Sequence, residues 1–178
     1  MSGPSSPSSP SSSLAAEDLA ARYDDVRQRA NTISIDSERW AALEAEAEEW
    51  GVGAFCYHDD AVLLVRENEE WLLPGGILEA GETPEEGTRR ELREETSVEA
   101  DIEGLAAITT QTFLNEAEPA NRFDFRFATF LAQASDPTTS PDPGLDGEEI
   151  ETVAWASEVP ENTFDRELVV DLFRSVVE

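Results

Sequence analysis

Apolar residues recur along this chain in two rhythms, and the changes of rhythm mark its elements. In residues 14–30, Leu14, Leu19, Tyr23 and Val26 fall on one face at helical spacing, which predicts an amphipathic helix. A second helix is expected after Asp36 or Ser37, either of which can cap it, carrying Trp40, Leu43 and Ala47 towards Trp50. Residues 51–57 (GVGAFCY) and 61–65 (AVLLV) are short apolar runs separated by His58-Asp59-Asp60, the signature of a hairpin. Residues 98–108, 109–113 and 122–131 also read as strands. In the last, RFDFRFATFL alternates aromatic with polar residues, the period of a sheet with one buried face. Phe123, Phe125 and Phe127 are expected to point inward, with stacking on a substrate base the alternative for one of them. Loops are expected at 115–121 and 135–147, the second long enough to be functional. A strand at 150–156, with Trp155 read as core packing, precedes a helix over 164–177.

Helical and strand segments alternate irregularly, which predicts an α/β fold with a mixed sheet between helices. The expected organisation is a Ser/Pro-rich disordered tail at 1–13, a helical extension at 14–50 and a main domain at 51–178. The extension is expected to pack on the main domain. A partner-binding or dimerising arm is the alternative, which leaves a homodimer open.

Charge changes the picture. The 178 residues carry 40 acidic and 12 basic side chains, a formal charge of −28, and every basic residue is arginine. Such a surface repels nucleic acid and anionic membranes, so neither is an expected partner. It also repels itself unless salt screens it, and at molar salt the Debye length falls to about 3 Å. Adaptation to a salt-rich cytoplasm, as in halophiles, is the expectation. Cys56 is the only cysteine, so an intrachain disulfide is excluded, and its apolar run marks it as a small core residue. His58, the only histidine, reads as a solvated turn residue rather than a ligand. No apolar stretch is long enough to span a bilayer, and the N-terminus has neither the basic residues nor the apolar core of a secretion signal. A cytoplasmic protein is expected.

The chemistry gathers between Gly75 and Val98, GGILEAGETPEEGTRRELREETSV, whose paired glycines are expected to turn as a tight loop that lets the backbone approach a metal or phosphate. Thr83, Pro84 and Glu86 form the start signals of a helix, a capping box with proline at the first position. That helix carries Glu91, Glu94 and Glu95 at spacings that place them on one face, where each like-charge pair costs roughly 0.2 to 0.5 kcal/mol. They also sit near its negative end. Hard carboxylate oxygens in this arrangement point to Mg²⁺ or Mn²⁺, with phosphate oxygens and water completing the ion's coordination. Gly87 inside the helix is expected to allow close packing on the sheet.

The run from Gly76 through Glu82 to Arg90-Glu91-Leu92-Arg93-Glu94-Glu95-Thr96-Ser97-Val98 resembles the Nudix box, G-x5-E-x7-R-E-U-x-E-E-x-G-U. It departs at Ser97, where the family has the glycine that ends the helix in a left-handed conformation. The resemblance implies an α/β/α sandwich over 51–178. It also implies metal-dependent hydrolysis of a pyrophosphate bond in a nucleoside diphosphate joined to another group. Glu94 and Glu95 become the principal metal ligands, Glu91 a further ligand or the base, Glu82 a helper through water and the Gly75 carbonyl a ligand. Arg90 is expected to orient Glu94, and Arg66 to face substrate phosphates or to remain a surface charge. Glu148 and Glu149 are alternative bases or surface acids. ADP-ribose, a nucleoside triphosphate, a dinucleoside polyphosphate or a nucleotide sugar fits such a site equally. The competing class is a Nudix domain that binds a nucleotide as a sensor without turnover.

Overall fold

A computed structural model describes residues 15–46, 49–139 and 150–177. The tail at 1–13 and the segment containing Glu148 and Glu149 lie outside the described residues, as does Ala47.

The elements run α1 Ala16–Ala21, β1 Arg27–Ile35, α2 Ser37–Glu46, β2 Trp50–His58, β3 Ala61–Glu67, β4 Glu70–Leu72 and β5 Gly75–Ile77. They continue with α3 Pro84–Thr96, β6 Ala100–Asn115, β7 Arg122–Ala134, β8 Thr152–Ala156 and α4 Arg166–Val176. One mixed sheet joins the eight strands in the order β1-β6-β7-β2-β3-β4, with β5 against β2 and β8 against β3. The β1–β6 and β2–β7 pairs are parallel and the others antiparallel.

Alternation along β2 divides the core. Val52 faces one side with Leu19, Ile108 and Phe130, and Ala54 and Cys56 face that side with Leu92 of α3. Phe55 faces the other, where Leu168, Val169, Leu172 and Phe173 of α4 cover it together with Val62 and Leu64. Helices on both faces of a mixed sheet give the expected α/β/α sandwich.

Four expectations change. The helix expected over 14–30 is confined to α1, and β1 follows it. Asp25 adopts a left-handed conformation (φ 56°) that a helix cannot continue through, while the backbone of 27–35 finds its partners on β6. Tyr23 and Val26 still pack on the Leu19 cluster, so their spacing served burial without serving one helix. Residues 98–113 do not hold two strands but one, β6, whose irregularities at Ile102/Gly104 and Leu105/Ala107 are absorbed as bulges. The glycine pair expected to turn as a loop is a short strand, β5. Phe123, Phe125 and Phe127 share one face as alternation requires but are only half-buried and lie outside the cluster that α4 covers.

The β2–β3 hairpin forms as expected, with Asp59 left-handed at its turn (φ 49°). Next to that turn His58 is half-buried, its Nδ1 2.7 Å from the Ala134 carbonyl. Trp155 is also half-buried and donates through Nε1 to the Pro137 carbonyl at 2.8 Å. Burial pushes the Cys56 thiol up to about 12, as expected of a core residue.

Candidate active site

The site is built on α3 and the strand that leads to it. Both halves of the capping box close at 3.2 Å, Glu86 N–H to Thr83 Oγ1 and Thr83 N–H to the Glu86 carboxylate. At the other end Ser97 takes the left-handed conformation (φ 64°, ψ 11°) and donates its N–H to the Arg93 carbonyl at 2.9 Å. Serine there costs about 1 to 2 kcal/mol relative to a relaxed residue, and the helix still ends where a glycine would end it. Gly87 lies against β2 and the residue after β5: a Cβ there would stand 2.7 Å from Leu78 Cδ1 and 3.2 Å from Val52 Cγ2. Close packing of helix on sheet explains that glycine.

Arg90 is the hub. Its guanidinium pairs with Glu82 at 2.6 Å, Glu91 at 2.8 Å and Glu94 at 3.1 Å, lies 3.7 Å from Glu79, and donates to the Ile77 carbonyl at 3.0 Å. The Glu94 contact was legible from the one-turn spacing. The shorter contacts to Glu82 and Glu91 were not. Glu91 and Glu95 are buried, at 8 % and 9 % exposure, on the side that meets β5. Glu95 accepts a hydrogen bond from the Gly75 N–H at 3.1 Å. A Cβ at Gly76 would stand 2.5 Å from the Glu91 carboxylate, so a larger residue there would push that side chain out of its present position. The flanking β2–β5 bonds run at Pro74 and Leu78, so Gly75 turns its own N–H and C=O away from β2, towards the α3 side.

The hydrogen bond from Arg90 holds the Glu82 carboxyl below its ordinary value of 4.5, and the same contact raises Arg90. A carboxyl depressed on folding stabilises above its ordinary value, and the contribution disappears as pH falls through the folded value. Thermal melts of Glu82→Gln should therefore show lower stability than the parent at neutral pH. The deficit should shrink on acidification between about pH 5 and pH 3.

One guanidinium faces four carboxylates here, with Glu95 beside them, so the local charge stays strongly negative. Among the described residues no three His, Cys, Asp or Glu side chains form a ready metal cage, since Arg90 holds three of the acids. Hard oxygen donors in negative excess around a backbone carbonyl nevertheless fit a hard divalent cation in chemistry. Arg66 stands apart, on the α4 face of the sheet near the Trp71 ring (5.9 Å). Its Nε is buried without a hydrogen bond, the Glu151 carboxylate lying 3.9 Å away. The structure does not bring it to the α3 acids.

Tyr23 was not singled out from sequence as part of this neighbourhood. Its hydroxyl donates to Glu85 in the first turn of α3, and Arg22 lies 3.4 Å from the same carboxylate. Burial, with that bond, pushes the Tyr23 hydroxyl up to about 12. No local sequence signal links residues so far apart.

Residues 48–168 match the NUDIX domain family. A MutT-like protein of Streptomyces ambofaciens is 39% identical over 62 residues, 34% of this chain and 40% of that protein, so the match spans less than half of that relative's length. A NUDIX hydrolase from Nitrosomonas europaea shares the fold with a TM-score of 0.57 at 21% identity, covering 72% of each chain. A UDP-X diphosphatase does so at 0.53 and 23% identity, covering 79% of this chain and 72% of that one. An ADP-ribose pyrophosphatase from Streptococcus suis does so at 0.53 and 16% identity, covering 74% and 94%.

Proposed function

The chain belongs to the NUDIX family, and from that premise we propose that it hydrolyses a pyrophosphate bond in a nucleoside diphosphate linked to another moiety, with Mg²⁺ or Mn²⁺. The observation that carries this reading is the gathering of Glu82, Glu91, Glu94 and Arg90, with Glu95 held on Gly75. Glu91, Glu94 and Glu95 are the residues that would hold the ion, with the Gly75 carbonyl and, through water, Glu82. The chemistry a divalent cation supplies there is neutralisation of phosphate charge and polarisation of an attacking water. Arg90 keeps the carboxylates oriented, and Glu82 anchors Arg90. Glu91 is our candidate for the base, with Glu148 and Glu149 as alternatives. Arg66, on the α4 face, is available to phosphates approaching from that side. Binding without turnover would be marked by missing box acids, and every one of them is present.

We assign catalysis to 51–178 and treat 14–50 as an extension built onto it, with 1–13 a tail. We attribute the charge of −28 to work in a salt-rich cytoplasm. Among the described residues no helix is long and apolar enough to cross a membrane.

The test is a panel of ADP-ribose, a nucleoside triphosphate, a dinucleoside polyphosphate and a nucleotide sugar, assayed with each metal in low and molar KCl. Cleavage of at least one at its pyrophosphate, stopped by EDTA and stronger in molar KCl, is expected. Turnover undiminished by EDTA, or none across the panel, would overturn the reading.

A further inference from the structure

On the α4 side of the sheet, α4 packs on Phe55, Val62, Leu64 and Ala107, and a second apolar stretch of the same face lies outside that cluster. Paired residues share a side, so the strand register maps that stretch. Ile33, Phe113 and Phe123 form one row; Gln111 and Phe125 lie in the next; Arg29, Thr109, Phe127, Gly51 and Ile77 form a third. The four phenylalanines are half-buried. The exposed large apolar side chains among the described residues, Ile33 (46 %), Ile77 (42 %) and Phe164 (61 %), all border this area. Phe164 is placed by its neighbours: its N–H donates to the Trp71 carbonyl at 2.7 Å, and Asp165 is paired with Arg29 in the third row.

Within this patch the ring of Phe127 lies down on the backbone. A Cβ at Gly51 would stand 2.7 Å from Phe127 Cδ2 and 2.8 Å from Phe125 Cζ; one at Gly53 would stand 2.8 Å from Phe127 Cζ; one at Gly75 would stand 3.0 Å from the same atom. Glycine at 51 and 53 is what lets the ring rest there. Gly75 adjoins both the acids and the aromatic patch, since its N–H is held by Glu95 and a Cβ on it would meet the tip of the Phe127 ring.

We propose that Phe127, with Phe125 beside it, is a stacking surface for the planar base of a nucleotide whose diphosphate lies at the α3 carboxylates, an inference that rests on the hydrolase reading above. A ring held against backbone has little freedom left to lose when a base stacks on it. Stacking is indifferent to charge, so it supplies affinity that a chain of −28 cannot supply by attraction to an anion. A second copy would meet the same patch against mutual repulsion and would not account for its continuity with Glu95 through Gly75.

Calorimetric titration of the full chain with AMP and with base-free ribose 5-phosphate, in Mg²⁺ and molar KCl, tests the assignment without requiring turnover. AMP should bind about tenfold or more tightly than the base-free sugar, and Phe127→Leu should erase that preference. Phe127→Trp should restore it, and with a cleaved substrate Phe127→Leu should raise KM and leave kcat within about threefold. Equal binding of the two ligands, or unchanged AMP affinity in a folded Phe127→Leu chain, overturns the proposal. So does a dimer that Phe127→Leu dissociates. Phe127-dependent AMP binding in a chain that hydrolyses nothing overturns the hydrolase reading and leaves the stacking surface standing.

Discussion

Glu95→Gln should lower kcat for pyrophosphate hydrolysis by at least about a hundredfold, since even the outer partners of metal ligands act on a scale of 10- to 100-fold. The amide keeps an oxygen for the Gly75 N–H and a similar shape, while the negative charge is lost. Fold and stability should therefore change little, with the melting temperature within about 3 °C of the parent. Glu94→Gln should behave in the same way. Glu79→Gln supplies the control: that side chain also touches Arg90 but is 65 % exposed, and its loss should leave turnover near the parent value. Steady-state rates with Mg²⁺ and circular dichroism on the three variants decide the matter. Undiminished activity in a folded Glu95→Gln chain would remove α3 from the chemistry.

The largest effect on stability is expected at Leu19. It lies outside the assigned catalytic segment, yet it is fully buried (0 % exposed) among Trp50, Val52, Ile108 and Phe130. Truncation to alanine leaves a cavity in close-packed surroundings and should cost about 2 to 5 kcal/mol. For a chain of this length that corresponds to a fall of roughly 5 to 15 °C in melting temperature. Leu43 on α2 is half-buried, and Leu43→Ala should cost under about 1 kcal/mol. Chemical denaturation of both variants in molar KCl compares them directly. Equal costs would show that α1 merely rests on the domain. A large cost at Leu19 alone would show that residues before β2 help to close the core under α3, in keeping with the Tyr23–Glu85 bond.

The elements legible in the sequence were those whose signals are local. Thr83, Pro84 and Glu86 announced α3, and the glutamate spacing announced its acidic face, because caps and helical period act within a few residues. The β2–β3 hairpin was equally plain. By contrast, RQRANTISI in β1 is exposed along almost its whole length, so it has no alternation to read. Its strand character comes from the partner β6 supplies, a tertiary effect. Alternation in β7 identified a strand with one apolar face. Whether a helix covers Phe123, Phe125 and Phe127 depends on where α4 ends, which their own spacing does not encode. At the site, one-turn spacing joined Arg90 to Glu94, whereas the shorter pairing with Glu82 required the turn before α3 to fold back. Arg66 shows the reverse case: it continues the apolar run of β3, yet its side chain faces away from the acids.

At the rim of the sheet, β1 leaves one row of backbone donors and acceptors without a neighbouring strand among the described residues. Its nine residues include no proline, and their only charges are Arg27 and Arg29 at one end, so the devices that usually discourage rim-to-rim zipping are sparse along the rest of it. What holds two molecules apart is their shared negative field, and electrolyte collapses that field. The ions proposed to keep one molecule compact would also bring two rims within reach, so a concentrated stock in strong brine is where turbidity should first develop.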